Sequence, residues 1–460
     1  MSISEQSRRA FLKRSAALGI AGAAAPFVTN LAAIGEAAAA TAADYKALVC
    51  VFLYGGNDYA NTLPPYDSAS YALYQAARPS LAHARDALTP TLLTPSAALA
   101  DGRQYALAPA MLPLVPLFDT GRMAVVLNVG TLVQPTTKAQ YTANSVRLPP
   151  KLFSHNDQQS YWQASSPEGA TSGWGGRLGD LFQSGNGNST LTCINASGNA
   201  VFLSGRTAIQ YAVSTSGPIP LLGNSSTLFG SSAAASTLRS LMTGSNANLL
   251  ANEHGIVSKR ALDTYAMVNT ALAGAPASSF PLFPGGNSLA DQLRIVARLI
   301  SVSQELGAKR QVFFVSIGGF DLHDNLATQH PTLLGNVAAA LRAFHDTTET
   351  LGIANRVTTF TASDFGRTLQ PNDDGSDHGW GSMHFVLGGA VNGRRFYGTP
   401  PAIGNNTPDD VGQGRLLPSI SVDQYAATLA SWFGVSPGSL STVLPNIGNY
   451  NASSLNLGFV

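Results

Sequence analysis

Five short apolar runs, four of which stop abruptly in glycine-bearing or polar blocks, limit the fold more than any other feature of this chain. KALVCVFLY runs into GGNDYANT at Gly55, RMAVVLNV into Gly130, QVFFVSI into Gly318 and RVTTFTA into Ser363, while HFVLGG emerges from a Gly-rich block. Runs this short, β-branched and poor in charge predict strands buried on both faces. ADQLRIVARLISVSQELGA, before QVFFVSI, and the segment Pro331 to Leu351, before RVTTFTA, carry apolar residues at helical spacing. Helix, strand, helix, strand in that order predicts right-handed crossovers and an α/β fold. Its mainly parallel sheet would carry helices on both faces as a three-layer α/β/α sandwich. SVDQYAATLASWFG reads as a closing helix.

The remaining segments are less regular. LAPAMLPLVPLF reads as a helix broken by its prolines. From 183 to 288 the chain is rich in Ser, Asn, Gly and Ala, with strand-like TLTCINA, AVFLS and AIQYAVS followed by the helical HGIVSKRALDTYAMVNTAL. This stretch reads as an insertion or cap, closed by the Pro/Gly linker SSFPLFPGGNS. No internal repeat is present. At 460 residues with 45% hydrophobic content the chain can bury a large core. Only 12% of residues are charged and the net charge is +1, which argues against nucleic acid or an acidic membrane surface as a partner. Arg394-Arg395 reads as a solvated turn.

The N-terminus carries Ser7-Arg8-Arg9-Ala10-Phe11-Leu12-Lys13, then AALGIAGAAAPFV and Ala-rich sequence to Ala43. Residues 1–43 resemble a twin-arginine export signal, in which paired arginines precede a moderately apolar stretch and a small-residue cleavage site. The export machinery is then a partner, and residues 44–460 form a periplasmic or secreted domain that leaves the cytoplasm folded. No later run has the ~18 uninterrupted apolar residues of a span, so stable membrane insertion of the mature chain is not expected. Cys50 and Cys193 can pair in an oxidising compartment or stay as buried thiols.

Five of the eight histidines lie between 321 and 384, and three of them, His323, His378 and His384, share the blocks IGGFDLHDN and GSDHGWGSMHF with carboxylates, while TASDFGRT between them adds Asp364. Asp321, His323, Asp364, Asp377, His378 and His384 are donors suited to a hard or borderline divalent cation. Their blocks follow strands or, in the last case, precede one. In an open parallel sheet, loops converge at the carboxyl ends of the strands, where ligands collect. Alternation in FDLHDN puts Asp321 and His323 on one side of an extended segment. Asp364 can instead pair with its neighbour Arg367 at a helix start, or Arg367 can offer a fork to a sulfate or phosphate oxygen. His330 and His345 read as surface or satisfied core residues. No Gly-x-Ser-x-Gly elbow, phosphate loop or Cys-x-x-Cys pair is present, and GGRLGD at Gly175 reads as a packing turn.

The blocks GGNDYANT, FSHNDQQSYW, GWGGRLGD, GGFDLHDN, SDFGRT and DHGWGSMHFVLGGAVNGRRFYG, in this order, resemble the domain-of-unknown-function 1501 family, which is grouped with the alkaline phosphatase-like superfamily of sulfatases and phosphoglycerate mutases. The resemblance implies that superfamily's α/β/α fold and hydrolysis of sulfate or phosphate esters, small or polysaccharide, at one or two divalent ions such as zinc, manganese or calcium. It implies Asp58 as a ligand after the first core strand, Ser154 as nucleophile and His155 as a substrate contact. His378 or His384 would be the last histidine ligand. Two departures stand out: Asp321 and His323 have only one residue between them where the superfamily places the His three residues further on, and Asp364 precedes Phe365 rather than His. Asp58 can otherwise make an Asx turn, and Ser154 can cap the following helix. The alternative to a hydrolase is a noncatalytic extracytoplasmic binding or assembly protein that retains the fold.

Overall fold

A computed structural model describes residues 45–460; the export signal expected at 1–43 lies outside the described residues. All five of the apolar runs lie in one ten-stranded sheet among the described residues. β1 (Lys46–Leu53) lies near its middle, parallel to β6 (Arg310–Ile317) on one side and β7 (Val357–Ser363) on the other. Leu53 stands level with both Ile317 and Ser363, so the three strands end at one height and their loops emerge side by side. β10 (Ser382–Gly388) runs antiparallel between β7 and β2 (Met123–Gly130). Its reversed direction brings the residues before Ser382 to that same rim. The sheet is mixed but mostly parallel.

Alternation along β1 divides the core. Val49, Val51 and Leu53 face one apolar layer, and Leu48, Cys50 and Phe52 face the other. The first layer packs on α6 (Ser288–Ser301) and α7 (Leu326–Thr350), the second on α3 (Trp174–Phe182) and α8 (Val422–Phe433). Both cysteines are buried and free, so the thiol reading holds and the pairing does not. α7 begins five residues before Pro331, because Asn325, at φ 53°, turns the chain into the helix first. Ser421 and Gln424 form a capping box that starts α8. No helix among the described residues is long and apolar enough to cross a membrane.

The stretch 183–288 supplies edge strands to the main sheet: β3 (Cys193–Asn195) pairs with β6, and β4 (Gln210–Ser214) pairs with β3 and with β5 (Gly217–Pro218). It also supplies the helix pair α4 (Ser232–Thr243) and α5 (Leu249–Ala273). AVFLS, expected as a strand, is a 3₁₀ turn at Val201–Leu203. That turn sits under GGRLGD, which lies on α3: a Cβ at Gly175 would meet the Phe202 ring and one at Gly176 the Ser204 backbone.

Candidate metal centre

The centre is built from loops that leave the level ends of β1, β6 and β7 and from α2 (His155–Ala164). Asp321 and His323 follow β6, Asp364 follows β7, and His378 ends β9 (Ser376–His378), whose partner is β8 (Arg367–Pro371). Gly55, at φ 115°, is the joint between two of these loops: a Cβ there would overlap the backbone nitrogen of Asp321. Only glycine allows so close an approach with that backbone.

Three imidazoles converge on one carboxylate. His378 Nε2 lies 3.0 Å from His155 Nε2, 3.0 Å from His323 Nε2 and 3.2 Å from Asp321 Oδ1. Asp321 Oδ2 is 3.3 Å from His155 Nε2, and Oδ1 is 3.1 Å from His323 Nε2. Ligand atoms of His155, Asp321 and His378 all lie within 4.8 Å of one another, and His323 meets two of the three, Asp321 and His378.

The other nitrogen of each ring faces an oxygen acceptor. His378 Nδ1 is 2.8 Å from the Phe153 carbonyl, His155 Nδ1 is 2.6 Å from Asp364 Oδ2, and His323 Nδ1 is 3.3 Å from Asp377 Oδ1. A carbonyl or carboxylate oxygen only accepts, so the first two contacts place a proton on Nδ1 of His378 and of His155 and, in the neutral rings, a lone pair on each Nε2; His323 Nδ1 also lies 3.5 Å from the Asn372 amide nitrogen, a donor, so its contacts fix no tautomer. Phe153 turns its carbonyl to His378 from φ 70°, a backbone region that a bulky residue rarely adopts. Lone pairs 3.0 Å apart repel unless a cation or a shared proton lies among them. Because His378 has a single Nε2 lone pair, it can serve one ion at a time.

Charge around the cluster is balanced by Arg367. This buried guanidinium donates from Nη1 to Asp321 Oδ1 at 2.5 Å and to the Gly55 carbonyl at 3.1 Å, and its other side holds Ser376 through Oγ and the carbonyl. Burial pushes the Asp321 carboxyl up, but Arg367, with His155 and His323, holds it below the ordinary value. The hydrogen bond to Asp364 raises the His155 pKa against the pull of burial. Burial lowers that of His378, only partly offset by the Phe153 carbonyl.

Other expected site residues fall elsewhere. Both Asp58 oxygens are taken by Arg78, the residue that ends α1 (Ser68–Ala77), at 2.8 and 2.6 Å, inside the fold. Burial alone would push this carboxyl up, yet Arg78 brings it down to about 2. Asp58 also caps the turn Tyr59–Thr62 through the Asn61 N–H. His384 lies within β10, its ring against Trp162 and Tyr425, and burial lowers it to about 3. His330 is a satisfied core residue whose Nε2 lies 3.0 Å from Asn57 Oδ1. Ser154 precedes α2 without making a cap bond; its hydroxyl donates instead to Asp157 Oδ2 at 3.0 Å. Asp157, Gln159 and the Phe153 carbonyl went unsingled in the sequence.

The profile of a family described as "Protein of unknown function (DUF1501)" matches residues 45–419. No curated protein sequence matches the chain. Among solved structures, the lipoteichoic acid synthase LtaP from Listeria monocytogenes is similar at TM-score 0.35 and 9% identity, over 92% of this chain and 82% of that one. The C-terminal periplasmic domain of EcEptC from Escherichia coli is similar at TM-score 0.33 and 11% identity, over 88% of each chain. A protein of a Bacteroides thetaiotaomicron locus for glycosaminoglycan metabolism is similar at TM-score 0.34 and 10% identity, over 85% of this chain and 73% of that one.

Proposed function

We propose that this chain, which belongs to the DUF1501 family, is an exported, metal-dependent hydrolase of sulfate or phosphate esters that works at the cluster of His155, Asp321, His323 and His378. One observation carries the metal: the Nε2 atoms of three rings meet beside Asp321, and two of the rings are anchored at Nδ1 by Asp364 and the Phe153 carbonyl. Nitrogen donors with a carboxylate suit zinc or manganese, and fit calcium, which takes oxygen ligands, less well. When bound, such an ion supplies Lewis-acid polarisation of an ester oxygen.

The chain's own residues supply the rest. Ser154 sits between Phe153 and His155, both of which touch the cluster, and its Oγ–H already points at Asp157, a buried carboxylate with Lys151 Nζ 3.6 Å away. A nucleophile, a base and a group that orients the base are thus in reach of one another. Attack of Ser154 Oγ on phosphorus or sulfur would break the ester P–O or S–O bond, the hydroxyl proton passing through Asp157 to the departing alcohol oxygen. Water would then break the bond from Ser154 Oγ to phosphorus or sulfur, its proton passing through Asp157 back to Ser154 Oγ and its hydroxyl staying on the released phosphate or sulfate. Arg367, with its donors on Asp321, Gly55 and Ser376, fixes Asp321 in place.

That commitment of Arg367 also favours a second reading, a noncatalytic binding protein, since its donors go to Asp321, Gly55 and Ser376 rather than to an anionic ester. Turnover separates the two. Zinc- or manganese-loaded protein should release phenol from an aryl phosphate or an aryl sulfate, and Ser154→Ala should lower that rate at least ~100-fold. Metal binding with no turnover of either would leave the binding role. Export rests on the twin-arginine pattern at Arg8-Arg9; Arg8→Lys with Arg9→Lys should strand the protein in the cytoplasm.

A further inference from the structure

We propose that Asp364 is a positioning residue that fixes His155 in the tautomer whose Nε2 faces the centre, rather than a ligand in its own right. The inference rests on the metal reading above. Asp364 is completely buried at the end of β7, and a single oxygen, Oδ2, meets three donors: the Gly55 N–H at 3.1 Å, Gln159 Nε2 at 2.7 Å and His155 Nδ1 at 2.6 Å. A backbone N–H and an amide NH₂ can only donate, so Oδ2 is an acceptor throughout and the third contact requires a proton on His155 Nδ1. The ring then carries its lone pair on Nε2, the atom facing His378 and Asp321.

His155 and Gln159 are one turn apart on α2, so a single helix face brings both donors to the carboxylate. The Gly55 N–H comes from the loop after β1. Asp364 therefore ties α2 to two strand ends and sets the aim of its histidine. A carboxylate in this place also raises the basicity of the ring it holds. Its second oxygen is buried without a hydrogen-bond partner among the described residues, and direct ligation through that oxygen is the outcome the test must separate.

Two readouts do so. In metal-free protein at about pH 9, where imidazole is neutral, ¹⁵N NMR should find His155 protonated at Nδ1. Asp364→Ala should mix its tautomers, while Asp364→Asn, whose amide oxygen can still take the three donors, should not. An unchanged tautomer in Asp364→Ala would overturn the proposal. The second readout is zinc affinity by chelator competition, expected to fall about 10–100-fold in Asp364→Ala and less in Asp364→Asn. In a His155→Ala background the further change Asp364→Ala should cost nothing more. A loss that persists undiminished in that background would make Asp364 a ligand itself. If Asp364→Ala does not fold, Asp364→Asn decides: a loss as large as that of His155→Ala contradicts the proposal. Should wild type bind no zinc while showing the Nδ1–H tautomer, the metal reading fails and the positioning role stands.

Discussion

Asp58 shows how a residue that looks like a ligand is diverted. It follows a core strand in a polar block, as Asp321 does, but Arg78, twenty residues on, closes both of its oxygens in a buried pair. Nothing local in the sequence marks that partner. Removing one side of a buried pair strands the other charge, so Asp58→Ala should cost about 3–5 kcal/mol in denaturant unfolding, while metal content per folded molecule stays at the wild-type level. The native carboxyl lies near 2, below its unfolded value, so this stabilisation is present above about pH 4 and is lost as pH falls toward 2. The burial of His384 inside β10 was more legible. HFVLGG reads as a strand, and a residue inside a strand of the central sheet is core before it is ligand. His155 gave the opposite surprise: it follows no strand, and only α2, lying across the rim, brings it beside Asp364 and His378. Phe153 at φ 70° has no sequence signature at all.

At the scale of elements, the strands and the alternation of helix with strand could be read from runs such as QVFFVSI because both faces of a central strand must be apolar. Their level ends could not, since register depends on partners far away in the chain. Gly55 is where that register matters most. Gly55→Ala introduces a Cβ into the Asp321 backbone at a positive φ, so it should lower zinc affinity at least ~10-fold by parting the β1 and β6 loops, seen by chelator competition on folded protein. α8 carries a separate effect at its first turn. Burial raises the Asp423 carboxyl to about 6, against the lowering pull of Asn446, Ser165 and Arg177. A raised native value means the protonated form is favoured by folding, so this stabilisation is full below about pH 4 and is lost as pH rises through 6. Asp423→Asn should therefore raise the melting temperature above pH 6, relative to wild type, by the equivalent of up to about 3 kcal/mol, and leave it nearly unchanged near pH 4. A difference that did not grow with pH would contradict this.

Over the whole molecule, the sheet acts as the device that gathers the site. Asp321 and Asp364 are 43 residues apart and His155 lies 166 residues before Asp321, yet one rim brings them within hydrogen-bonding reach of shared partners. Clustering of histidine and aspartate at strand ends was legible because chemistry collects where loops converge; the proton positions that turn His155 and His378 inward were not, because they depend on acceptors as scattered as Asp364 and the Phe153 carbonyl. The most direct test of this account is elemental analysis of the purified protein beside an Asp321→Ala, His378→Ala double variant that stays folded. About one equivalent of zinc or manganese in the wild type, absent from the variant, is the predicted result. No metal in either protein after supplementation would contradict the centre, and with it the hydrolase built upon it.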